Sequence, residues 1–108
     1  MKRALDGFGA LSQEMRLSVF RLLVQAGADG LAAGEIAEAL GVRQNTLSAN
    51  LSVLLQAGLV RNRREGRSIR YFADMEGMRG LLGFLLEDCC GGNPDQCAPF
   101  LDGIAGPC

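Results

Sequence analysis

The sequence predicts a mainly α-helical domain with one small β-hairpin, an α+β fold, and three observations predict it. Leucine-rich stretches recur at helical spacing along most of the chain. Gly41 separates two of these stretches and predicts a tight turn between helices. Two stretches of alternating side chains, Leu59 to Arg64 and Ser68 to Ala73, flank Glu65-Gly66 and predict the hairpin. At 108 residues, one compact domain is expected.

Two helices are expected before residue 27. Residues 1–11 predict a short helical arm that needs a partner surface, because Gly7 and Gly9 weaken it. The second helix is expected from Gln13 to Ala26, with Ser12 as its N-cap. Its predicted core face comprises Leu17, Phe20, Leu23 and Val24. After it, Leu31-Ala32 is expected to add a short strand beside the hairpin.

The next two helices flank Gly41. Glu35 to Leu40 predicts a short amphipathic helix, and a longer helix is expected to begin near Arg43 to Asn45 and to end before Gly58. The longer helix has one apolar stripe, formed by Leu47, Leu51, Leu54 and Leu55. Its other face has short or hydrogen-bonding side chains without charge, at Gln44, Asn45, Ser48, Ala49, Asn50 and Ser52.

A support helix, a tight turn and a second helix with a polar, uncharged face are typical of a helix-turn-helix. Such a helix enters a DNA major groove about 12 Å wide and contacts base edges with amide or hydroxyl groups. We therefore expect groove-facing side chains at Gln44, Asn45, Thr46, Ser48 and Asn50. The alternative for the same pattern is an αα-hairpin within an all-helical core.

The charge distribution supports contact with nucleic acid in the middle of the chain. The net charge is −1, but six arginines and one acid lie between Arg43 and Arg70, whereas six acids and one base lie between Asp74 and Cys108. Only the middle segment is therefore suited to binding phosphates. The arginines expected to bind phosphates, or to reach the minor groove from the wing, are Arg43, Arg63, Arg64 and Arg67. The alternative is that the hairpin arginines only keep the sheet edge soluble.

A last helix is expected from Met75 to about Asp88, with Asp74 as its cap. Its apolar stripe is wide, comprising Met75, Met78, Leu81, Leu82, Leu85 and Leu86, with Phe84 outside it. A second copy of the chain would cover this stripe and the N-terminal arm, so we expect a homodimer. The alternative is that the stripe packs on the domain's own core.

All four cysteines lie in the last twenty residues, at Cys89, Cys90, Cys97 and Cys108. Because the sequence shows no apolar signal segment and no stretch long enough to cross a bilayer, we expect a cytoplasmic protein without a membrane partner. In that reducing compartment, clustered cysteines indicate a metal or redox site rather than a disulfide framework.

The order of these elements resembles the ArsR/SmtB family of winged-helix, metalloid- and metal-responsive repressors. The resemblance covers roughly residues 5–88. The matching segments are Ala10 to Ser12, Arg16 to Leu23, Glu35 to Val42, Leu47 to Val60, Arg63 to Arg67, and Tyr71. It implies a dimeric winged helix-turn-helix that binds an inverted-repeat operator and dissociates when an inducer binds. We accordingly expect a DNA-binding and dimerisation domain over residues 1–90 and a Cys-containing tail over 91–108.

The chain also departs from the family pattern in its DNA-reading segment. Ala49-Asn50 stands where the family often has His-His or Arg-His, Ser52 where it often has Lys, and Arg43 where a capping Ser is common. The operator sequence therefore cannot be transferred from the family.

The expected inducer site departs further from the family pattern. Ala32, Ala33 and Gly34 lack the cysteines of the family's familiar arsenite site, and the chain has no histidine for the family's zinc site on the last helix. Some family members have paired cysteines and a third cysteine just after the last helix. This resemblance implies trivalent arsenic as inducer, bound by Cys89, Cys90 and Cys97, with Cys108 as a further candidate.

Thiol chemistry is compatible with that expectation but leaves alternatives open. Thiolates favour soft ions, and the absence of histidine argues against an ordinary mixed-ligand zinc site. Cadmium, antimonite, a methylated trivalent arsenical, copper(I) or a thiol redox switch remain alternatives. An enzyme is not expected, and neither is a catalytic cofactor, since no Cys-x-x-Cys or phosphate-binding glycine loop occurs.

Overall fold

The computed structural model describes residues 1–86. In that part of the chain, five α-helices and three strands occur in the order α1, α2, β1, α3, α4, β2, β3, α5. Their bounds are Lys2–Leu11 (α1), Glu14–Ala26 (α2), Leu31–Ala32 (β1), Ala33–Leu40 (α3), Gln44–Gln56 (α4), Val60–Glu65 (β2), Ser68–Ala73 (β3) and Met75–Leu85 (α5). A 3-10 turn, Gly27–Asp29, connects α2 to β1.

The three strands form one antiparallel sheet in the order β1-β3-β2. The β2–β3 hairpin, called the wing below, pairs Val60 with Ala73 and Glu65 with Ser68. Leu31 of β1 pairs with Tyr71 on the other edge of β3. The predicted hairpin and the short additional strand are both confirmed.

The core lies between α2, α3, α4 and the sheet. Branched and aromatic side chains fill it, since they bury much apolar area with few rotamers. The largest fully buried side chains are Phe72, Leu23, Ile36, Leu47, Leu51, Leu54, Leu59 and Val19. The predicted apolar stripe of α4 is confirmed, and Leu55 packs partly buried against the same cluster.

Two predictions about α2 are wrong. The helix begins one residue later than expected, and Gln13 is its N-cap, with its side chain accepting a hydrogen bond from the Arg16 amide. Ser12 instead ends α1, where its hydroxyl donates to the Gly9 carbonyl at 2.8 Å. A hydroxyl between two helices can form a capping hydrogen bond with either helix, and Ser12 forms it with the preceding one.

The buried face of α2 is also rotated from the predicted one. Phe20 and Leu23 are buried as expected, but Val19 takes the third core position. Leu17 is 43% exposed and Val24 41% exposed. Both sets of positions have helical spacing, so only packing against neighbouring elements distinguishes them.

The turn between α3 and α4 depends on Gly41, which has a φ of +65°. L-residues with side chains rarely adopt this left-handed conformation, so glycine reverses the chain here at low cost. Glu35 closes the start of α3 by accepting a hydrogen bond from the Ala32 amide at 2.8 Å. The predicted helix-turn-helix is therefore present as α3, the Gly41 turn and α4.

Helices α1 and α5 pack together on one side of the domain. Gly7 of α1 lies against Leu81 of α5, which is buried. Asp74 caps α5 as predicted, by accepting a hydrogen bond from the Gly77 amide at 3.1 Å. Within residues 1–86, no helix is long and apolar enough to cross a membrane.

Candidate nucleic-acid interface

The predicted groove-facing residues lie at the N-terminal end of α4. Arg43 is the N-cap residue of this helix. Four of the five predicted groove-facing side chains are exposed: Gln44, Asn45, Thr46 and Ser48. This end of the helix follows the Gly41 turn directly, and the first amides of a helix lack intrahelical partners and suit contact with phosphate. Here the Thr46 amide donates to Asn45 Oδ1 at 2.9 Å. The structure thus brings amide, hydroxyl and guanidinium groups to one exposed helix end.

Asn50 is less exposed than these four residues. It is half-buried, and its side chain accepts a hydrogen bond from Arg16 Nη1 at 3.2 Å and donates to the Thr46 carbonyl at 3.0 Å. Its amide nitrogen is also 3.1 Å from Met15 Sδ. Its predicted contact with DNA stays a prediction, but its polar atoms already have partners within the protein.

The wing arginines differ in how firmly the protein holds them. Arg63 forms an ion pair with Glu65 at 2.7 Å. The guanidinium carbons of Arg61 and Arg63 lie 4.7 and 5.0 Å from the centre of the Phe72 ring, at cation–π distance. These three side chains and Glu65 share one face, because strand residues alternate and Arg61 is paired with Phe72.

Arg70 anchors the wing to the rest of the domain, a role that the sequence analysis did not assign. Its Nη1 donates to the carbonyls of Asp29 and Gly30 at 3.0 and 3.1 Å. Its guanidinium also lies 3.1 Å from Glu65 and 3.7 Å from Glu35. The sequence signal for this role was strand alternation, because it places Arg70 and Glu65 on the same face of the hairpin.

Glu65 is held in its charged form by the two arginines. Hydrogen bonds from Arg63 and then Arg70 lower the pKa of its carboxyl below the ordinary value. Since its carboxylate neutralises part of the wing, the remaining exposed arginines carry the unbalanced positive charge.

Of the wing arginines that Glu65 does not bind, Arg61 lies over the Phe72 ring, and Arg64 and Arg67 are the other two. Both are exposed, and neither forms an ion pair with another residue of the described 1–86 segment. The same holds for Arg43 at the start of α4. These three side chains are therefore exposed to solvent, and their contact with phosphates stays a prediction.

The predicted thiol ligands, Cys89, Cys90, Cys97 and Cys108, lie outside the described residues. The boundary predicted between the domain and its tail at residues 90 and 91 lies there too. Within residues 1–86, no three acidic, cysteine or histidine side chains come together as a metal site.

Comparison with known proteins agrees with this geometry. A family model described as a helix-turn-helix domain matches residues 11–63. A Bacillus subtilis (strain 168) protein, the uncharacterized HTH-type transcriptional regulator YbzH, is 32% identical over 93 residues. That match covers 75% of this chain and 93% of the relative.

Two solved structures are similar to most of the chain. One is the homodimeric winged helix-turn-helix DNA-binding domain of Mb0332 from Mycobacterium bovis, described as a possible ArsR-family regulator. It is 30% identical, the match covers 85% of each chain, and the TM-score is 0.66. The other is described as a possible transcriptional regulator for arsenical resistance, with 27% identity, a TM-score of 0.66, and coverage of 75% of this chain and 81% of that one.

The match covers 93% of the Bacillus subtilis relative and 85% of the Mycobacterium bovis domain. The family carries out DNA binding rather than catalysis. The chain therefore belongs to the ArsR family of winged helix-turn-helix DNA-binding transcriptional regulators.

Proposed function

We propose that this protein is a homodimeric repressor of arsenic-resistance genes that leaves an inverted-repeat operator when trivalent arsenic binds its C-terminal cysteines. One observation carries the proposal: every cysteine in the chain lies in its last twenty residues, and the chain has no histidine. The proposed ligands are Cys89, Cys90 and Cys97, with Cys108 as a fourth candidate. The similar structure described as a possible regulator for arsenical resistance supports the choice of inducer.

The chemistry of arsenite suits a cluster of three thiols. Arsenous acid exchanges its three hydroxyl groups for three thiol sulfurs and releases three waters, so no net proton is released. A divalent metal must displace the thiol protons before it binds. Adjacent Cα atoms are about 3.8 Å apart, which is shorter than the usual disulfide separation. Cys89 and Cys90 are therefore better suited to share one ligand than to pair with each other.

The start of α5 contacts the residues that directly follow the reading helix, α4. The Asp74 amide donates to the Leu59 carbonyl at 2.8 Å, just after α4 ends. Gly77 packs against the Gly58 backbone. Because the cysteines follow α5 in the sequence, a change in the position of α5 would reach α4 through these contacts.

On the operator, the exposed end of α4 would enter the major groove, with Gln44, Asn45, Thr46 and Ser48 at the base edges. Arg43, Arg64 and Arg67 would bind phosphates. Arg63 would also bind a phosphate once its ion pair with Glu65 is broken. A homodimer presents two such helices to two half-sites. The homodimeric Mycobacterium bovis domain supports this assembly.

The test is operator release titrated with arsenite, beside cadmium and zinc. An operator duplex is first selected from random DNA with the wild-type protein, and fluorescence anisotropy then follows binding in a thiol-free reductant. We expect arsenite to weaken wild-type binding by about 5- to 150-fold, the usual range of coupling between two sites. Cys89→Ser, Cys90→Ser or Cys97→Ser should abolish that response and leave operator affinity without arsenite unchanged.

Cys108→Ser decides whether the last cysteine is a ligand: weaker release by arsenite would include Cys108 in the site, and wild-type release would exclude it. Unchanged release in Cys89→Ser would overturn the proposed site. Release by cadmium, and none by arsenite, would assign a different soft inducer. Release by peroxide alone would assign a thiol redox switch.

A further inference from the structure

Arg16 links three helices through a single guanidinium group. It lies in the first turn of α2, and its Nε donates to the Ala10 carbonyl of α1 at 2.7 Å. Its Nη1 donates to Asn50 Oδ1 of α4 at 3.2 Å. Both bonds are partly shielded from water, where a directional hydrogen bond has more effect than on the open surface.

Asn50 completes this link from the α4 side. Its oxygen accepts from Arg16, and its nitrogen donates to the Thr46 carbonyl and approaches Met15 Sδ. The side chain thus contacts α2 twice and its own helix once. The amide groups that would read an adenine edge are those already engaged here.

The hydrogen bonds of Arg16 and Asn50 are directional, whereas the apolar contacts of α4 are not. Leu47, Leu51 and Leu54 bury the helix against the core, but hydrophobic contact is not directional and allows a helix to rotate or slide by small amounts. A guanidinium fork presents donors at fixed angles, and a lysine in its place could not reproduce that geometry. The rotation of α4 about its axis determines where Gln44, Asn45 and Ser48 point.

We propose that Arg16 and Asn50 are positioning residues that set the rotation of α4, and so determine operator discrimination without touching DNA. This inference needs only the DNA-binding role of the family. It is independent of the inducer, so its failure and a failure of the arsenite proposal are distinguished by separate measurements, with and without arsenite.

The test compares Arg16→Gln, Arg16→Lys, Asn50→Ala and the Arg16→Gln/Asn50→Ala double variant with the wild type. Binding to the selected operator and to a scrambled duplex of equal length is measured over a range of salt concentrations. We expect each single variant to reduce the ratio of the two affinities by about tenfold, within the range for residues of one hydrogen-bond network. The double variant should be no worse than the poorer single variant.

The salt dependence separates positioning from phosphate contact. If Arg16 bound a phosphate, its removal would lower the slope of log affinity against log salt by about 0.9. We expect an unchanged slope in Arg16→Gln, and we expect Arg16→Lys to lose discrimination although it keeps the charge. Arg21→Gln, which removes an exposed arginine from the same helix, is the matched control and should resemble the wild type.

Three results would overturn the proposal. The first is a slope that falls by one phosphate contact in Arg16→Gln. The second is a reselected operator in which Asn50→Ala has lost preference at one base pair only, which would show direct reading. The third is unchanged discrimination in Asn50→Ala, measured well below its thermal unfolding midpoint. Asn50→Ala leaves Arg16 in place, so this variant remains informative if Arg16→Gln does not fold.

Discussion

At the scale of single residues, Glu65 decides which wing arginines are held by the protein. Its carboxylate binds Arg63 at 2.7 Å and Arg70 at 3.1 Å. Arg70 in turn donates to the Asp29 and Gly30 carbonyls. Arg70 therefore fastens the wing to the loop before β1 and Glu65 holds the Arg70 guanidinium, while Arg64 and Arg67 stay exposed.

Glu65→Gln should destabilise the fold at neutral pH and lose that effect in acid. The pKa of Glu65 is lower in the folded chain than its ordinary value of 4.5. Its charged form therefore stabilises the fold above the unfolded pKa, and this contribution disappears as pH falls through the folded pKa. We expect a lower thermal midpoint than wild type at pH 7, and equal midpoints once the pH is well below 4.5.

The control for this measurement is Glu38→Gln, because Glu38 is exposed and forms no ion pair within residues 1–86. It should leave the midpoint unchanged at both pH values. A Glu65→Gln effect that is equal at neutral and acidic pH would contradict the role given to the two arginine contacts.

At the scale of elements, the contact between α5 and the end of α4 depends on close backbone approach. A Cβ added at Gly77 would overlap the Gly58 carbonyl oxygen. A backbone atom cannot move aside as a flexible side chain can, so α5 would have to shift away from α4. The glycine therefore permits the contact through which α5 meets the reading helix.

Gly77→Ala should destabilise the protein by about 1–3 kcal/mol, as expected of an overpacked contact. Gly34→Ala is the matched control, since an added Cβ there meets only Gln44 Nε2 at an ordinary 3.6 Å. It should stabilise α3 by about 0.5–1 kcal/mol. Urea denaturation followed by circular dichroism measures both, and equal effects of the two substitutions would contradict the close approach.

At the scale of the whole molecule, the side formed by α1 and α5 leaves large apolar side chains exposed. Leu5 is 62% exposed and Leu85 58% exposed, and the other large ones on these helices are Met1, Met75, Leu82 and Phe84. The two helices pack on each other through Gly7 and Leu81. Exposed apolar side chains on neighbouring helices are typical of an interface between protein copies.

Leu5→Glu combined with Leu82→Glu should convert the proposed dimer into monomers. Each substitution places a charge where the interface would otherwise bury an apolar side chain, which is unfavourable without a partner charge. Light scattering coupled to size-exclusion chromatography measures the mass. Operator affinity should fall with it, because a monomer offers one reading helix instead of two.

Val24→Glu is the comparison for this variant, because Val24 is also exposed but lies on α2. It should leave both the mass and the operator affinity unchanged. A double variant that keeps the wild-type mass would exclude α1 and α5 as the dimer interface.

Much of the fold could be predicted from local sequence because local interactions determine it. Gly41 and Asp74 act within a few residues of themselves, and the structure confirms the turn and the helix cap predicted for them. The hairpin register follows from side-chain alternation around Gly66 in the same way. The exposed polar end of α4 also follows from the sequence, since helical spacing places Gln44 and Ser48 away from the leucine stripe.

Tertiary structure decided which side chains are buried and which distant residues meet, because the spacing of residues along one element does not determine either. Helical periodicity allowed either Leu17 or Val19 on the core face of α2, and packing against neighbouring elements chose Val19. The hydrogen bond from Arg16 to Asn50 joins residues 34 positions apart, so no local pattern could reveal it. The sequence alone thus determined the elements and the polar character of the reading helix, whereas its fixed rotation arises only when distant side chains meet.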